Sequence, residues 1–170
     1  GFDRLRYDRF GVDSGVTIDF TTGVATGTWF SQSFTHNFSN MEWFRGSQHG
    51  DTIIGDDEVQ LLEGAAGNDT ITGGGGIGGD TFVIGNRTLY GANGGTDLIT
   101  DFTIGTDAFD FVGINDTIAE INAAFDAAID TTSGAEIEFA DGTTIILQGV
   151  TAAQAAALDP FAAPASSSPP

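Results

Sequence analysis

Apolar residues recur along this chain at several intervals, and each interval predicts a different structure. Near the N-terminus Val16, Ile18 and Phe20 alternate with polar residues, which is typical of a β-strand with one buried face. A turn at 21–23 precedes a predicted return strand at 24–29, and a third apolar run covers 38–44. We therefore expect segment 1–45 to form a β-rich flank.

Between residues 46 and 83 the interval becomes nine, and each unit begins with glycine. The eighth residue of every unit is large and apolar: Ile53, Leu62, Ile71 and Phe82. The sixth residue is aspartate in three units: Asp51, Asp69 and Asp80. Gln60 takes that place in the second unit, and two extra glycines, Gly73 and Gly74, precede the fourth. A single unit buries too little apolar surface to be stable, so the units must stack.

After residue 115 the pattern becomes helical. Thr117 and Glu120 match a capping box. The helix is predicted over 116–130 with four residues on its apolar face: Ile118, Ile121, Phe125 and Ile129. The residues at 136–147 predict a β-hairpin with a type I′ turn at Asp141-Gly142. A short second helix is expected over 151–158, and 162–170 is expected to be a flexible tail.

The net charge of the chain limits the classes of partner that it is expected to bind. The chain has 24 acidic and 5 basic residues, for a net charge of −19. It should therefore repel nucleic acid and anionic lipid and attract cations, although an acidic surface that only confers solubility remains an alternative. The arginines at 4, 6, 9 and 45 could form a docking patch, but pairing with the acidic majority is the favoured interpretation. No apolar run is long enough to span a bilayer, so we expect no membrane insertion.

The sequence gives little support for catalysis within this chain. Cysteine is absent, which excludes disulfides, thiolate metal ligands and a cysteine nucleophile. The two histidines, His36 and His49, belong to no HExxH motif, and GxSxG is also absent. Pairs of carboxylates for glycosidase chemistry stay open in principle. We expect that this chain is not an enzyme and that any catalytic domain lies upstream of it.

Calcium accounts for the acidic and glycine-rich repeats together. The ion takes six to eight oxygen ligands, both carboxylates and carbonyls, and glycines allow the backbone to aim successive carbonyls at one point. The units resemble the calcium-binding nonapeptides of the RTX (repeats-in-toxin) family. The resemblance extends to 15–27 and 39–46 upstream. Downstream, 95–102 and 105–111 resemble the stretch that closes the roll in type I secretion target domains.

The resemblance implies an all-β fold, a right-handed parallel β-roll (solenoid) with two units per turn. Asp51 would then stack on Asp69, and Gln60 on Asp80, with Asp57 supporting the weaker second row. Asp97 and Asp101 become candidates at the last turn, with Asp101 preferred to Asp107. The implied metal-site residues are Gly46, Gln48, Asp51, Asp57, Gly64, Ala66, Gly67, Asp69, Gly75, Gly78, Asp80, Asp97 and Asp101.

Four segments follow from these patterns: the flank at 1–45, the roll at 46–115, a helix and hairpin cap at 116–161 that resembles a secretion signal, and the tail. The resemblance implies a secreted or cell-surface domain that folds on binding Ca²⁺ after export by type I secretion machinery. One alternative is a scaffold segment of an adhesin, S-layer, or carbohydrate- or ice-binding protein, in which calcium only rigidifies the scaffold. The exposed faces of the flat roll would then bind, together with Trp29, Phe30, Trp43 and Phe44. The other alternative is the non-catalytic C-terminal domain of a secreted protease or lipase.

Overall fold

The computed structural model describes residues 3–58, 60–75, 78–85, 95–112, 114 and 116–163. The described strands are β1 (Arg4–Arg6), β2 (Thr17–Asp19), β3 (Val24–Trp29), β4 (Gln32–Asn37), β5 (Trp43–Arg45), β6 (Thr52–Ile54), β7 (Leu61–Glu63), β8 (Thr70–Thr72), β9 (Thr81–Ile84), β10 (Thr96–Ile99), β11 (Ala108–Phe111), β12 (Ile129–Asp130), β13 (Ala135–Glu138) and β14 (Thr144–Leu147). The described helices are α1 (Ile118–Asp126) and α2 (Ala152–Ala156). The described part of the chain is thus mostly β, and most of the predicted tail lies outside it.

Two sheets contain all of these strands. The smaller sheet has five parallel strands in the order β1-β5-β7-β9-β11. The larger sheet has nine strands in the order β12-β13-β14-β10-β8-β6-β2-β3-β4. Its middle five strands, from β14 to β2, are parallel, and antiparallel pairs flank them on both sides. From β5 to β11, successive strands along the chain alternate between the two sheets.

The nine-residue phase predicts the strand register, and the structure confirms it. Ile53 of β6 pairs with Ile71 of β8, and Leu62 of β7 pairs with Phe82 of β9. All four side chains are at most 1% exposed. Each is worth about 1.5–3 kcal/mol on burial, so the stacked units supply a shared core that no unit has alone.

Each buried column continues beyond the repeats in register. One column runs through Ile18, Ile53, Ile71, Ile99 and Leu147. The other runs through Leu5, Phe44, Leu62, Phe82 and Phe109. The flank and the cap therefore extend the same core.

The N-terminal flank is β-rich as predicted, and β3 has the predicted bounds. Strands β1 and β4 were not predicted. Charge pairing is confirmed for Arg45, whose Nε lies 3.3 Å from both Asp8 Oδ2 and Glu63 Oε1. Arg6 also pairs with Asp8. Because Arg45 is only 4% exposed, its side chain lies in the interior and is not available to the docking patch that was the alternative interpretation.

The cap differs from its prediction at several points. The capping box of Thr117 and Glu120 is present, but α1 ends at Asp126. Two residues expected on its buried face are instead exposed: Ile118 by 65% and Ile129 by 57%. Ile129 lies beyond the end of the helix, in β12, which pairs with β13. Helix α2 has the expected capping box at Thr151 and Gln154.

The hairpin β13–β14 is confirmed, but its turn is not type I′. That type needs positive φ at both central residues, whereas Gly142 (φ +87°) has positive φ and Asp141 does not. Gly142 N–H donates to the Phe139 carbonyl (3.0 Å), and Phe139 N–H donates to the Thr143 carbonyl (2.8 Å). The loop therefore has three residues, and Gly142 supplies the left-handed conformation that such loops require.

No described helix has both the length and the apolar character needed to cross a bilayer.

Of the four aromatic residues proposed as a binding surface, Trp29 and Phe30 are exposed, by 37% and 62%. Phe44 is fully buried, and the guanidinium of Arg4 covers Trp43 at 4.4 Å from the ring centroid. That surface is therefore half as large as the sequence suggested.

Candidate metal centre

Three aspartates form a hydrogen-bonded ladder at the start of the parallel strands. The main-chain N–H of Asp51 donates to Asp69 Oδ1 (2.7 Å), and that of Asp69 donates to Asp97 Oδ1 (3.0 Å). Val16 N–H begins the ladder by donating to Asp51 Oδ1 at 2.7 Å. Asp51 and Asp69 directly precede β6 and β8, and Asp97 is the second residue of β10. Because these strands are paired in register, the same contact repeats from strand to strand.

The ladder is buried, and its members keep oxygen atoms available. Asp51, Asp69 and Asp97 are 3%, 2% and 7% exposed. Asp69 Oδ2 is buried and accepts no hydrogen bond from the described residues. A buried carboxylate oxygen without a donor costs free energy, so this atom calls for a cation or a proton.

Glycines make room for these carboxylates. A Cβ on Gly64 would lie 2.0 Å from Asp69 Oδ2, and one on Gly46 would lie 2.1 Å from Asp51 Oδ2. The main chain of the turn before each strand therefore passes directly against the carboxylate that follows. This explains why the first residue of each of these units is glycine.

The turns themselves stack on one another. A Cβ on Gly67 (φ +119°) would lie 2.5 Å from the His49 carbonyl carbon, and Ala66 N–H donates to the Ser47 carbonyl at 3.5 Å. Gln48 Oε1 is a second buried oxygen with no donor among the described residues. The predicted turn residues of units one and three are thus brought together beside the ladder.

Burial and mutual repulsion raise the pKa values of the carboxyl groups in the ladder. Desolvation raises the pKa of Asp51 to about 6, although hydrogen bonds from Val16 and Ser47 oppose the shift. Desolvation, followed by the negative charges of Asp97 and Asp51, raises the pKa of Asp69. Desolvation also raises the pKa of Asp97. Ionised carboxylates in this position are therefore unfavourable unless a positive charge joins them.

A second ladder lies on the five-stranded side. The main-chain N–H of Gln60 donates to Asp80 Oδ1 (2.9 Å), and that of Asp80 donates to Asp107 Oδ1 (3.0 Å). Desolvation raises the pKa of Asp80 to about 7 and also raises that of Asp107. The predicted pairing of Gln60 with Asp80 is confirmed.

The side chain that supports Gln60 is Asp56. Gln60 Oε1 accepts the N–H of Asp56 (3.2 Å), and Gln60 Nε2 donates to Asp56 Oδ1. Asp57 lies nearer to Gly75 instead, since its Oδ1 is 3.9 Å from a Cβ built on that glycine. Gly75 and Gly78 lie outside the strands in the segment before Asp80. Because Gln60 takes the place of an aspartate, the second ladder has two carboxylates, Asp80 and Asp107, where the first has three.

In the last turn, the acidic residues are arranged differently from the sequence expectation, which preferred Asp101 to Asp107. Asp107, and not Asp101, occupies a rung of a ladder. Asp101 instead accepts N–H groups of the two inserted glycines, from Gly73 to Oδ1 (2.8 Å) and from Gly74 to Oδ2 (2.9 Å). Asp107 could have been found from its phase, because Phe109 follows it two residues later as the apolar residue does in every unit.

Ser47 is a site residue that sequence reasoning missed. Its main-chain N–H donates to Asp51 Oδ2, and its hydroxyl donates to Asp51 Oδ1 at 2.7 Å. Asp51 is therefore the best-satisfied carboxylate of the first ladder. Asp69 is the member with most to gain from a cation.

The donor set fits a hard cation held by oxygen atoms. Within the described ranges, no three side chains of His, Asp or Glu converge tightly enough to hold a metal by themselves. A cation beside the ladder would need carbonyl and amide oxygens as well, and this is the mixture that calcium accepts. His36 is engaged elsewhere, with Nδ1 lying 3.1 Å from Tyr7 Oη, and His49 is exposed.

Comparison of the chain with protein-family models and with curated proteins finds no match in either set.

Proposed function

We propose that this chain is a calcium-binding domain that folds when calcium binds, built as a right-handed parallel β-roll. The alternation of successive strands between two parallel sheets supports the roll architecture. So does the register, in which residues two units apart lie side by side. The resemblance to RTX nonapeptides supplies the handedness and the ion.

The observation that carries the proposal is the buried ladder of Asp51, Asp69 and Asp97. Three carboxylates in neighbouring rows would repel one another when ionised, and Asp69 Oδ2 accepts no hydrogen bond from any residue in the described ranges. When bound, calcium would supply the missing positive charge. The carboxylates of this ladder would hold it together with carbonyl oxygens of the turns at 46–50 and 64–68.

Calcium then decides whether the domain folds. A site with free calcium at 100 times its dissociation constant adds about 2.7 kcal/mol to folded-state stability. Two such sites would exceed about 5 kcal/mol, which is the whole stability of many domains. In a compartment with little free calcium, the repulsion within the ladders and the net charge of −19 would keep the chain unfolded.

This dependence suits export through a type I secretion channel, which an unfolded chain can traverse, and folding outside the cell. The extracellular location is part of the proposal and rests on the resemblance. The same calcium-rigidified domain would also serve as a segment of an adhesin or as the C-terminal domain of a secreted hydrolase. No catalytic motif of this chain argues for activity of its own.

A calcium titration followed by circular dichroism tests the central claim. We expect a cooperative gain of β signal, reversal by chelator, and a much weaker response to magnesium, which demands stricter octahedral geometry. A domain equally folded in excess chelator would refute the proposal. Export of a reporter fused to this chain, measured with and without a type I channel, tests the secretion step separately.

A further inference from the structure

Strand β4 is an edge of the nine-stranded sheet, and it lacks the features that keep an edge strand from pairing with another chain. No described strand lies on its free side. It is six residues long, from Gln32 to Asn37, and contains no Asp, Glu, Lys, Arg or Pro. Natural edge strands are commonly protected by shortness, by charge or by proline, and β4 has none of these.

The other edges of the two described sheets are protected. Strand β1 has three residues, of which Arg4 and Arg6 are charged. Strand β12 has two residues, and one of them is Asp130. Strand β11 has four residues and contains the exposed Asp110. In a chain with 24 acidic residues, the long and uncharged edge at β4 is therefore an exception.

The main-chain groups that β4 leaves open follow from its pairing with β3. Just beyond the strand, Phe38 N–H donates to the Gly23 carbonyl at 2.8 Å, and the same antiparallel register continues along β4. Residues that bond to the neighbouring strand alternate with residues that do not. The even-numbered residues of β4 therefore bond to β3. The N–H and C=O groups of Ser33, Thr35 and Asn37 face the open edge, and the side chains of these three residues are exposed.

These three residues are symmetric about Thr35, so the edge is complementary to a copy of itself. When a second β4 lies antiparallel with Thr35 opposite Thr35, Ser33 of each copy lies opposite Asn37 of the other. Each of these opposing pairs can exchange main-chain hydrogen bonds, so every outward main-chain group of the strand obtains a partner. The two copies are then related by a two-fold axis, which is the symmetry of most dimers.

The side chains that this register brings together are compatible. On the outer face, threonine meets threonine and serine meets asparagine, without charge. On the inner face, Phe34 of one copy lies opposite His36 of the other. Within one chain these two rings already stack at 4.5 Å between centroids, and both stack on the buried Tyr7. The pairing therefore joins two existing aromatic clusters, and cross-strand contacts of this kind stabilise a sheet.

We infer that β4 pairs with β4 of a second copy of this chain, which joins the nine-stranded sheets of the two copies into one. A charged peptide would need complementary charge on the strand that it joins, and β4 offers none. Because each copy carries a net charge of −19, two copies repel at long range and can meet only through a neutral surface. A single pair of strands is a small contact, so the dimer is weak and depends on concentration.

Sedimentation equilibrium of the calcium-saturated protein, over about a hundredfold range of concentration, tests the inference. We expect an equilibrium between monomer and dimer that shifts towards dimer as salt is added, because salt screens the repulsion between the copies. Thr35→Lys places like charges opposite each other on the two-fold axis and should raise the dissociation constant about tenfold or more. Thr26→Lys adds the same charge at the exposed residue of β3 that pairs with Thr35, and should leave the dimer intact. A mixture of the Thr35→Lys and Thr35→Glu proteins should recover the dimer.

A cross-linking experiment locates the contact. The chain contains no cysteine, so Thr35→Cys introduces a single thiol. Opposite residues of a hydrogen-bonded antiparallel pair have Cα atoms about 5.5 Å apart, which a disulfide can bridge. Mild oxidation should therefore link the two copies. Thr132→Cys, at an exposed site in the loop before β13, should give far less linked dimer.

Circular dichroism and the calcium midpoint of each variant separate this inference from the calcium proposal, since the substituted residues belong to neither ladder. A folded wild type that stays monomeric at every concentration would overturn the inference. So would equal effects of Thr35→Lys and Thr26→Lys, or no recovery of dimer in the mixture. A dimer that weakens as salt is added, or equally efficient cross-linking through positions 35 and 132, would place the contact elsewhere and would also overturn it.

Discussion

In chelator-treated protein, raising the pH from 5 to 8 should destabilise the folded state. Burial raises the pKa of Asp51 from an ordinary value of 3.8 to about 6. The folded state therefore binds this proton more tightly than the unfolded chain does. The resulting stabilisation is complete below the unfolded-state pKa and is lost as the pH rises through the folded-state pKa.

The shift of about two pKa units corresponds to about 3 kcal/mol, of which about 1.4 kcal/mol is lost between pH 5 and 8. The pKa values of Asp69, Asp97, Asp80 and Asp107 are shifted in the same direction, so the whole effect should exceed that of Asp51. Saturating calcium should reverse the sign, because the ion binds ionised carboxylates and protons compete with it.

The folded fraction in chelator at pH 5, 6, 7 and 8, followed by circular dichroism, and urea unfolding in excess calcium over the same pH range measure the two slopes. Asp51→Asn should flatten the chelator slope, whereas Asp126→Asn, on the exposed side of α1, should leave it unchanged. Repetition at high salt removes general repulsion between surface charges, which has the same sign. Chelated protein that is more stable at pH 8 than at pH 5 would refute the account of the ladder given above.

Three further substitutions probe the site and the core. Asp69→Ala should move the calcium midpoint to higher concentration far more than Asp126→Ala, and equal shifts in a calcium titration would instead indicate general charge screening. Gly64→Ala should also raise the midpoint, because its Cβ would lie 2.0 Å from Asp69 Oδ2. Gly75→Ala should be tolerated, because among the described residues the nearest atom to its Cβ is 3.9 Å away. Similar midpoints for the two glycine variants would contradict the close packing. Phe82→Ala should lower the unfolding free energy in saturating calcium by about 3–5 kcal/mol, and a loss below about 1 kcal/mol would show that the column is not a packed core.

The sequence predicted the repeat region well because its period is simultaneously a chemical and a geometric signal. An apolar residue every nine positions determines which strands pair, and Asp51 and Asp69 come into the same ladder as a consequence. Asp97 could be placed in the last turn from resemblance. Asp107 was ranked below Asp101 because the nine-residue period is interrupted before it. Its position two residues before an apolar residue, as in the units, is therefore hard to recognise.

The flanks were predicted less well because their strands bury less. Strand β4 is exposed at five of its six residues and so lacks a hydrophobic pattern, and β1 has only three residues. At the end of α1, the spacing of Ile129 suits a helix, but pairing with Glu136 of β13 takes that residue into a sheet. Tertiary pairing decided an outcome that local periodicity could not. The Asp141-Gly142 pair is likewise compatible with two turn types, and the register of the hairpin selects between them.

The two ladders are not equivalent, and the difference follows from one residue. Gln60 keeps two bonds that Asp51 makes in the first ladder, since its main-chain N–H donates to Asp80 and its Oε1 accepts the N–H of the residue four positions earlier, Asp56. Its Nε2 also donates to Asp56 Oδ1, which an aspartate could not do. Gln60 removes a charge, however, so the second ladder repels itself less without calcium and attracts calcium less. Residual structure in chelator should therefore reside on the five-stranded side, where Phe44, Leu62, Phe82 and Phe109 already form a packed column. The first ladder has three carboxylates, and its Asp69 Oδ2 has no hydrogen-bond donor within the part of the chain that the structure describes. This ladder would then set the calcium concentration at which the whole domain folds.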